Sequence, residues 1–145
     1  MAGMKSELGA TAQAVAANIR RHRERIGWGY ARLARELTKA GRDIPPLGLS
    51  RIEDCERRVD VDDLVALAVV FGISPITLLM PDSDNEDAPV EMTAVGAVQG
   101  KGAWLWLNGS YPLSGSVLAF YNHALPCWER TAMEGALGGQ GRQFG

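Results

Sequence analysis

The 145-residue sequence is poor in cysteine, in histidine and in long apolar runs. Its two cysteines, Cys55 and Cys127, lie far apart, so no disulfide framework is expected. Both are expected to be free thiols in a reducing, cytoplasmic compartment. The longest apolar run, residues 64–71, is far short of the ~18 residues that a membrane span needs, so no membrane partner is expected. The first fifteen residues lack a basic segment followed by an apolar stretch, and no signal peptide is expected. His22 and His123 belong to no cluster with metal-ligand spacing, so the expectation is no metal and no cofactor. His123 and Cys127 are an i, i+4 pair without a third partner, and no phosphate-cradling glycine loop follows a strand. With no catalytic residues converging, an enzyme is not expected.

The charge present is unevenly placed. The net charge is −2, yet residues 1–58 hold 12 Lys/Arg against 7 Asp/Glu, a balance of +5. Residues 59–145 hold 3 against 10, a balance of −7. A basic module carrying an acidic extension is the simplest organisation. Helical periodicity dominates the basic part. A first helix is predicted over residues 11–26, with Val15, Ile19 and Ile26 on one face and Gly27 as its stop. A second follows over 30–39, a short third over 47–55 behind Pro45-Pro46, and a fourth after the cap Asp60 with Asp63 three residues on. Ser74 and Pro75 start a fifth, which stops at Pro81. Residues 82–89 are acidic and polar and read as a linker. Residues 90–133 read as a mostly irregular aromatic extension with mild strand character at 90–98 and a short helix at 118–128. Residues 134–145 read as a disordered glycine-rich tail.

Four blocks in the helical half resemble one known pattern. They are Ile19-Arg20-x-x-Arg23-x-x-x-Gly27, Leu33-Ala34-x-x-Leu37, Leu49-Ser50-Arg51-Ile52-Glu53, and Leu64-x-x-Leu67-Ala68-x-x-Phe71-Gly72-Ile73-Ser74-x-x-x-Leu78-Leu79. In this order they resemble the lambda-repressor-like (Cro/C1, XRE) helix-turn-helix family. The stretch Arg58-Val59-Asp60-Val61-Asp62-Asp63-Leu64 resembles an actinobacterial-type subgroup of it. The resemblance implies an all-α, five-helix bundle over residues 10–81. It also implies a sequence-specific transcriptional regulator, by default a repressor, that binds double-stranded DNA as a homodimer.

On the third helix, Leu49 and Ile52 point inward, so Pro46, Leu47, Ser50 and Arg51 face outward at positions that read bases in relatives. Arg51 suits a bidentate pair with guanine, Ser50 a base or phosphate, and Leu47 a thymine methyl. Tyr30 matches a family position that contacts phosphate, and Arg57 and Arg58 are placed to clamp the backbone. Arg23 and Glu53 match a structural pair that ties the first helix to the third.

The chain also departs from the family pattern. The link over residues 38–45 is several residues longer than the family's tight turn, and Cys55 stands where a glycine usually ends the helix. Asp54 and Glu56 put negative charge near the expected DNA face.

Plainer readings stand beside these. The arginines over residues 20–25 also suit a solvated helix face, and Arg51 a surface role. Cys55 reads more simply as a small semi-buried residue than as a redox switch. The aromatic set Trp104, Trp106, Tyr111, Phe120, Tyr121 and Trp128 suits either ordinary packing or a surface for a protein or small-molecule effector. The alternative to a DNA-binding regulator is a protein-interaction module, antitoxin-like or phage-derived, that retains the fold.

Overall fold

The computed structural model describes residues 7–140, and its chain divides into two compact units between Lys101 and Gly102. The first unit holds five helices: α1 (Ala10–Arg25), α2 (Tyr30–Lys39), α3 (Pro46–Glu53), α4 (Val61–Phe71) and α5 (Pro75–Leu79). An antiparallel hairpin of β1 (Pro89–Met92) and β2 (Gly96–Gln99) follows them, with Val90 opposite Val98. Each helix supplies its periodic apolar stripe to one core. Ile19, Leu33, Leu37, Leu49, Ile52, Leu67 and Leu78 are all fully buried there.

Local chemistry sets the helix ends. Asp60 Oδ1 accepts from the Asp63 amide at 2.7 Å, and Asp63 Oδ2 accepts from the Asp60 amide at 3.3 Å, a reciprocal capping box that opens α4. Gly72, at φ +69°, closes it in the left-handed region. At α5, Ser74 Oγ accepts from the Ile76 amide and Pro75 occupies the first turn. The carbonyls at the end of α5 find a partner that the sequence did not announce. Buried Asn18 of α1 donates through Nδ2 to Leu78 O at 2.8 Å and Met80 O at 2.7 Å.

His22 of α1 tilts against the Phe71 ring at a centroid distance of 5.8 Å, and its Nε2 is buried without a partner. Desolvation, reinforced by Arg25 and Arg21, pushes its pKa below the ordinary 6.5. The unfolded chain therefore takes up this proton first as pH falls. Stability present above pH 6.5 is lost as pH drops from there toward the folded-state value. Thermal unfolding of wild type and His22→Leu between about pH 7.5 and 5 checks this. The wild-type midpoint should fall more steeply, and parallel curves would contradict it.

The hairpin belongs to the first unit. Its turn is clasped to the start of α1: the Thr11 amide donates to Thr93 Oγ1 at 3.2 Å, and the Thr93 amide donates to Thr11 Oγ1 at 2.9 Å. The acidic stretch expected as a linker is tied down as well. Asp82 pairs with Arg21 at 3.0 Å, and Asn85 Oδ1 accepts from the amides of Asp87 and Ala88.

The second unit corrects the expectation of a mostly irregular extension. Helix α6 (Gly100–Leu107), whose first two residues belong to the first unit, α7 (Val117–Ala124) and α8 (Cys127–Gln140) fill most of the remaining described chain. The single helix expected over 118–128 is two, because Pro126 cannot continue a helix and holds Leu125 extended at ψ 144°. Residues 134–140 of the expected disordered tail instead continue α8, where Ala132, Met133, Glu134, Ala136 and Leu137 are good helix formers that outweigh the intervening glycines. Residues 141–145 lie outside the described residues. Within this unit the Tyr121 hydroxyl donates to Ser110 O at 2.8 Å. No helix among the described residues is long and apolar enough to cross a membrane.

Candidate nucleic-acid interface

Two helices and the segment joining them build the candidate surface. Gly41, at φ +90°, ends α2, with the Arg42 amide returning to Leu37 O at 2.9 Å. The long link that follows is anchored twice. Ile44 is buried in the core, and Arg42 reaches the opening of α4, with Nε on Asp63 Oδ1 and Nη2 on Asp60 Oδ2, both at 2.8 Å. Pro45 then stands as cap and Pro46 at the first position of α3, where neither lost amide matters.

Burial orients α3. Leu49 and Ile52 are fully buried, while Pro46, Leu47 and Arg51 are exposed and Ser50 is half-buried. Pro46 and Ser50, like Leu47 and Arg51, are i, i+4 pairs, so the four form two adjacent rows on the outer side. Leu47 is 60% exposed, a large apolar group held in solvent at the start of the helix. The four residues expected to read bases therefore share one face.

Beneath α3, the predicted pair is present. The Glu53 side chain is fully enclosed and accepts from Arg23 Nε at 2.9 Å and 3.2 Å on its two oxygens. Arg23 Nη1 also donates to Trp28 O at 2.9 Å. Tyr30 joins this cluster. Its ring lies 4.3 Å from the Arg23 guanidinium carbon, and the neighbouring Glu53 carboxylate, helped by desolvation, holds the pKa of its hydroxyl above the ordinary value. The residue expected to contact phosphate thus also supports the pair that ties α1 to α3.

The remaining expected contacts lie after α3. Arg58 is exposed, and Arg57 is half-buried with its guanidinium laid over Gly48 of α3. A Cβ on Gly48 would stand 2.5 Å from Arg57 Nη1, so this notch admits only glycine while Arg57 keeps its place. Cys55 is exposed, not semi-buried, because it takes the left-handed position that ends the helix, at φ +58°. The Glu56 amide closes the same motif on Arg51 O at 2.8 Å. Asp54, a negative charge next to the surface, is paired with Arg20 of α1 at 2.9 Å.

Sequence reasoning missed several parts of this arrangement. Arg42 steadies the link, Arg20 offsets Asp54, and Gly48 seats Arg57. Arg35 and Lys39 line a shallow groove with Pro45 and Pro46 beside the start of α3, adding positive charge there. The one advance signal was Gly48 itself, since glycine inside a short helix often marks a close approach. No group of His, Cys, Asp or Glu among the described residues is arranged to hold a metal ion. Compared with known proteins, the chain matches no protein-family model, no curated protein and no solved structure.

Proposed function

We propose that this chain is a sequence-specific, DNA-binding transcriptional regulator of the lambda-repressor-like helix-turn-helix kind. In this reading α1 to α5 are the five-helix bundle, α2 and α3 are the motif, and α3 enters the major groove. The observation that carries it is the outer face of α3. Pro46, Leu47, Ser50 and Arg51 project from a helix whose other side is locked by Leu49, Ile52 and the buried Glu53. A rigid helix with a short outward row that includes one arginine suits base-edge readout. Arg57, Arg58 and the groove cations Arg35 and Lys39 suit the phosphates on either side. Binding as a cytoplasmic homodimer to two half-sites, with repression by occlusion, is the default mechanism.

Polarisation titrations of a labelled duplex across a salt series test the reading. Arg57→Ala and Arg58→Ala should each lower the slope of log K against log salt by about 1, on any sequence. Arg51→Ala should cost about 1–3 kcal/mol on a selected site and little on random duplex. Wild-type affinity indifferent to salt would contradict the proposal.

One observation favours a second reading, a protein-interaction module. Leu118 and Trp128 of the second unit are 70% and 69% exposed, which suits a protein partner more than an isolated fold. Affinity capture that enriches one protein, with no salt-sensitive duplex binding, would select that reading.

A further inference from the structure

The first unit holds an open cleft of about 390 Å³, within the ~300–1,000 Å³ range of small-molecule sites. Four helices line it. Val15 of α1 and Ile52 of α3 are buried residues on its lining, and Leu64 of α4 and Leu79 of α5 complete the set. Leu64 and Leu79 pack against the core yet stay half-buried, so their burial is unfinished where the cleft stands. The polar groups on the same lining are engaged. Thr11 Oγ1 accepts from the Thr93 amide, and Thr93 Oγ1 accepts from the Thr11 amide. Asp60 accepts from the Asp63 amide and from Arg42. The Arg57 guanidinium lies against Gly48 of α3, and Arg58 has a partner of its own. These three are the charged side chains of the lining, and all are committed. An ion entering the cleft would lose water without gaining a counter-ion, whereas a neutral apolar molecule would finish the burial of the leucines.

We infer that this cleft binds a small, neutral, hydrocarbon-like molecule packed between Val15, Ile52, Leu64 and Leu79. The site does not depend on the DNA-binding reading. Because those four residues belong to four helices, the bound molecule bridges α1, α3, α4 and α5 and stabilises the folded bundle.

NMR titration of the full-length protein with naphthalene, which has no polar atom, tests the site. The methyl signals of Val15, Ile52, Leu64 and Leu79 should shift along one saturation curve, and the thermal midpoint should rise with naphthalene concentration. 1-Naphthoate and 1-naphthylmethylammonium carry the same rings with opposite charges. Each should bind about tenfold more weakly or worse. Ala12 also lines the cleft, so Ala12→Phe should fill it and abolish the shifts at Ile52, Leu64 and Leu79, with circular dichroism confirming the fold. Absence of a saturable shift at these methyls would overturn the site. So would shifts confined to the second unit, where Leu118 is 70% exposed, or shifts unchanged in a folded Ala12→Phe protein. Binding of either ion as tight as that of naphthalene would overturn the neutral ligand. Binding that appears only after deletion of residues 2–6 would assign the cleft to the chain's own start and overturn the ligand as well.

Discussion

Glu53→Ala is expected to lower the unfolding free energy by about 3–5 kcal/mol, the usual cost of removing one partner from a buried ion pair. The Glu53 side chain has no solvent exposure and that of Arg23 only 12%, so little water is available to replace the lost carboxylate. Arg23 keeps one hydrogen bond, to Trp28 O, but its Nε is left without the two carboxylate contacts at 2.9 and 3.2 Å. Tyr30, whose ring lies 4.3 Å from the Arg23 guanidinium carbon, is left beside the stranded charge. Denaturant unfolding gives the stability change. The paired replacement Arg23→Met with Glu53→Leu should recover most of it, because it removes the stranded charge together with its partner. The single variant should also lose DNA affinity under conditions where it is still folded, since Glu53 is the last residue of α3 and its tie to α1.

Asp63→Ala is expected to cost about 2–4 kcal/mol, again by denaturant unfolding. Its carboxylate is 2% exposed and does two things at once. Oδ2 accepts from the Asp60 amide in the capping box, and Oδ1 accepts from Arg42. Arg42 is 35% exposed and keeps Asp60, which places the expected loss below that of Glu53. The consequence reaches α3 because Arg42 belongs to the long link. With only the exposed contact to Asp60 left, Arg42 holds the link less firmly, and buried Ile44 becomes the main anchor between α2 and α3. Asp63→Asn keeps one oxygen as acceptor for the Asp60 amide and turns the other position into a donor that cannot accept from Arg42, so it loses the Arg42 contact but should retain more stability than the alanine variant. Equal losses in the two variants would mean that the capping hydrogen bond contributes little.

The residues explain why the first unit was more legible than the second. Caps are local, and Asp60 with Asp63, Ser74 with Pro75, and Gly72 each reveal a helix end within a few positions. The outward face of α3 followed from two apolar residues, Leu49 and Ile52. The tie between Arg23 and Glu53 was legible only through the resemblance, because nothing local joins residues 30 apart. Arg42 and Asn18 were illegible for the same reason. Their partners lie 21 and about 60 positions away and depend on how the link and α5 come to rest. Cys55 was partly legible, as a residue in a glycine position, but its exposure follows from the left-handed turn itself. In the second unit, glycine content suggested disorder over residues 134–145. Between Cys127 and Leu137 the helix-forming residues outweigh it. The break at Pro126 was legible in the sequence, because proline cannot continue a helix and holds the residue before it extended.

Selection of bound duplexes from a random-sequence pool, using the full-length protein and Arg51→Ala in parallel, most directly tests α3 as the reading element. The expected result for the wild type is an enriched motif with two related half-sites about one helical turn apart, ~10–10.5 base pairs between centres. The expected result for a folded Arg51→Ala protein is a motif that loses preference at the guanine position while keeping its other positions. A wild-type pool with no enriched motif, or the same motif recovered unchanged by the variant, would contradict it.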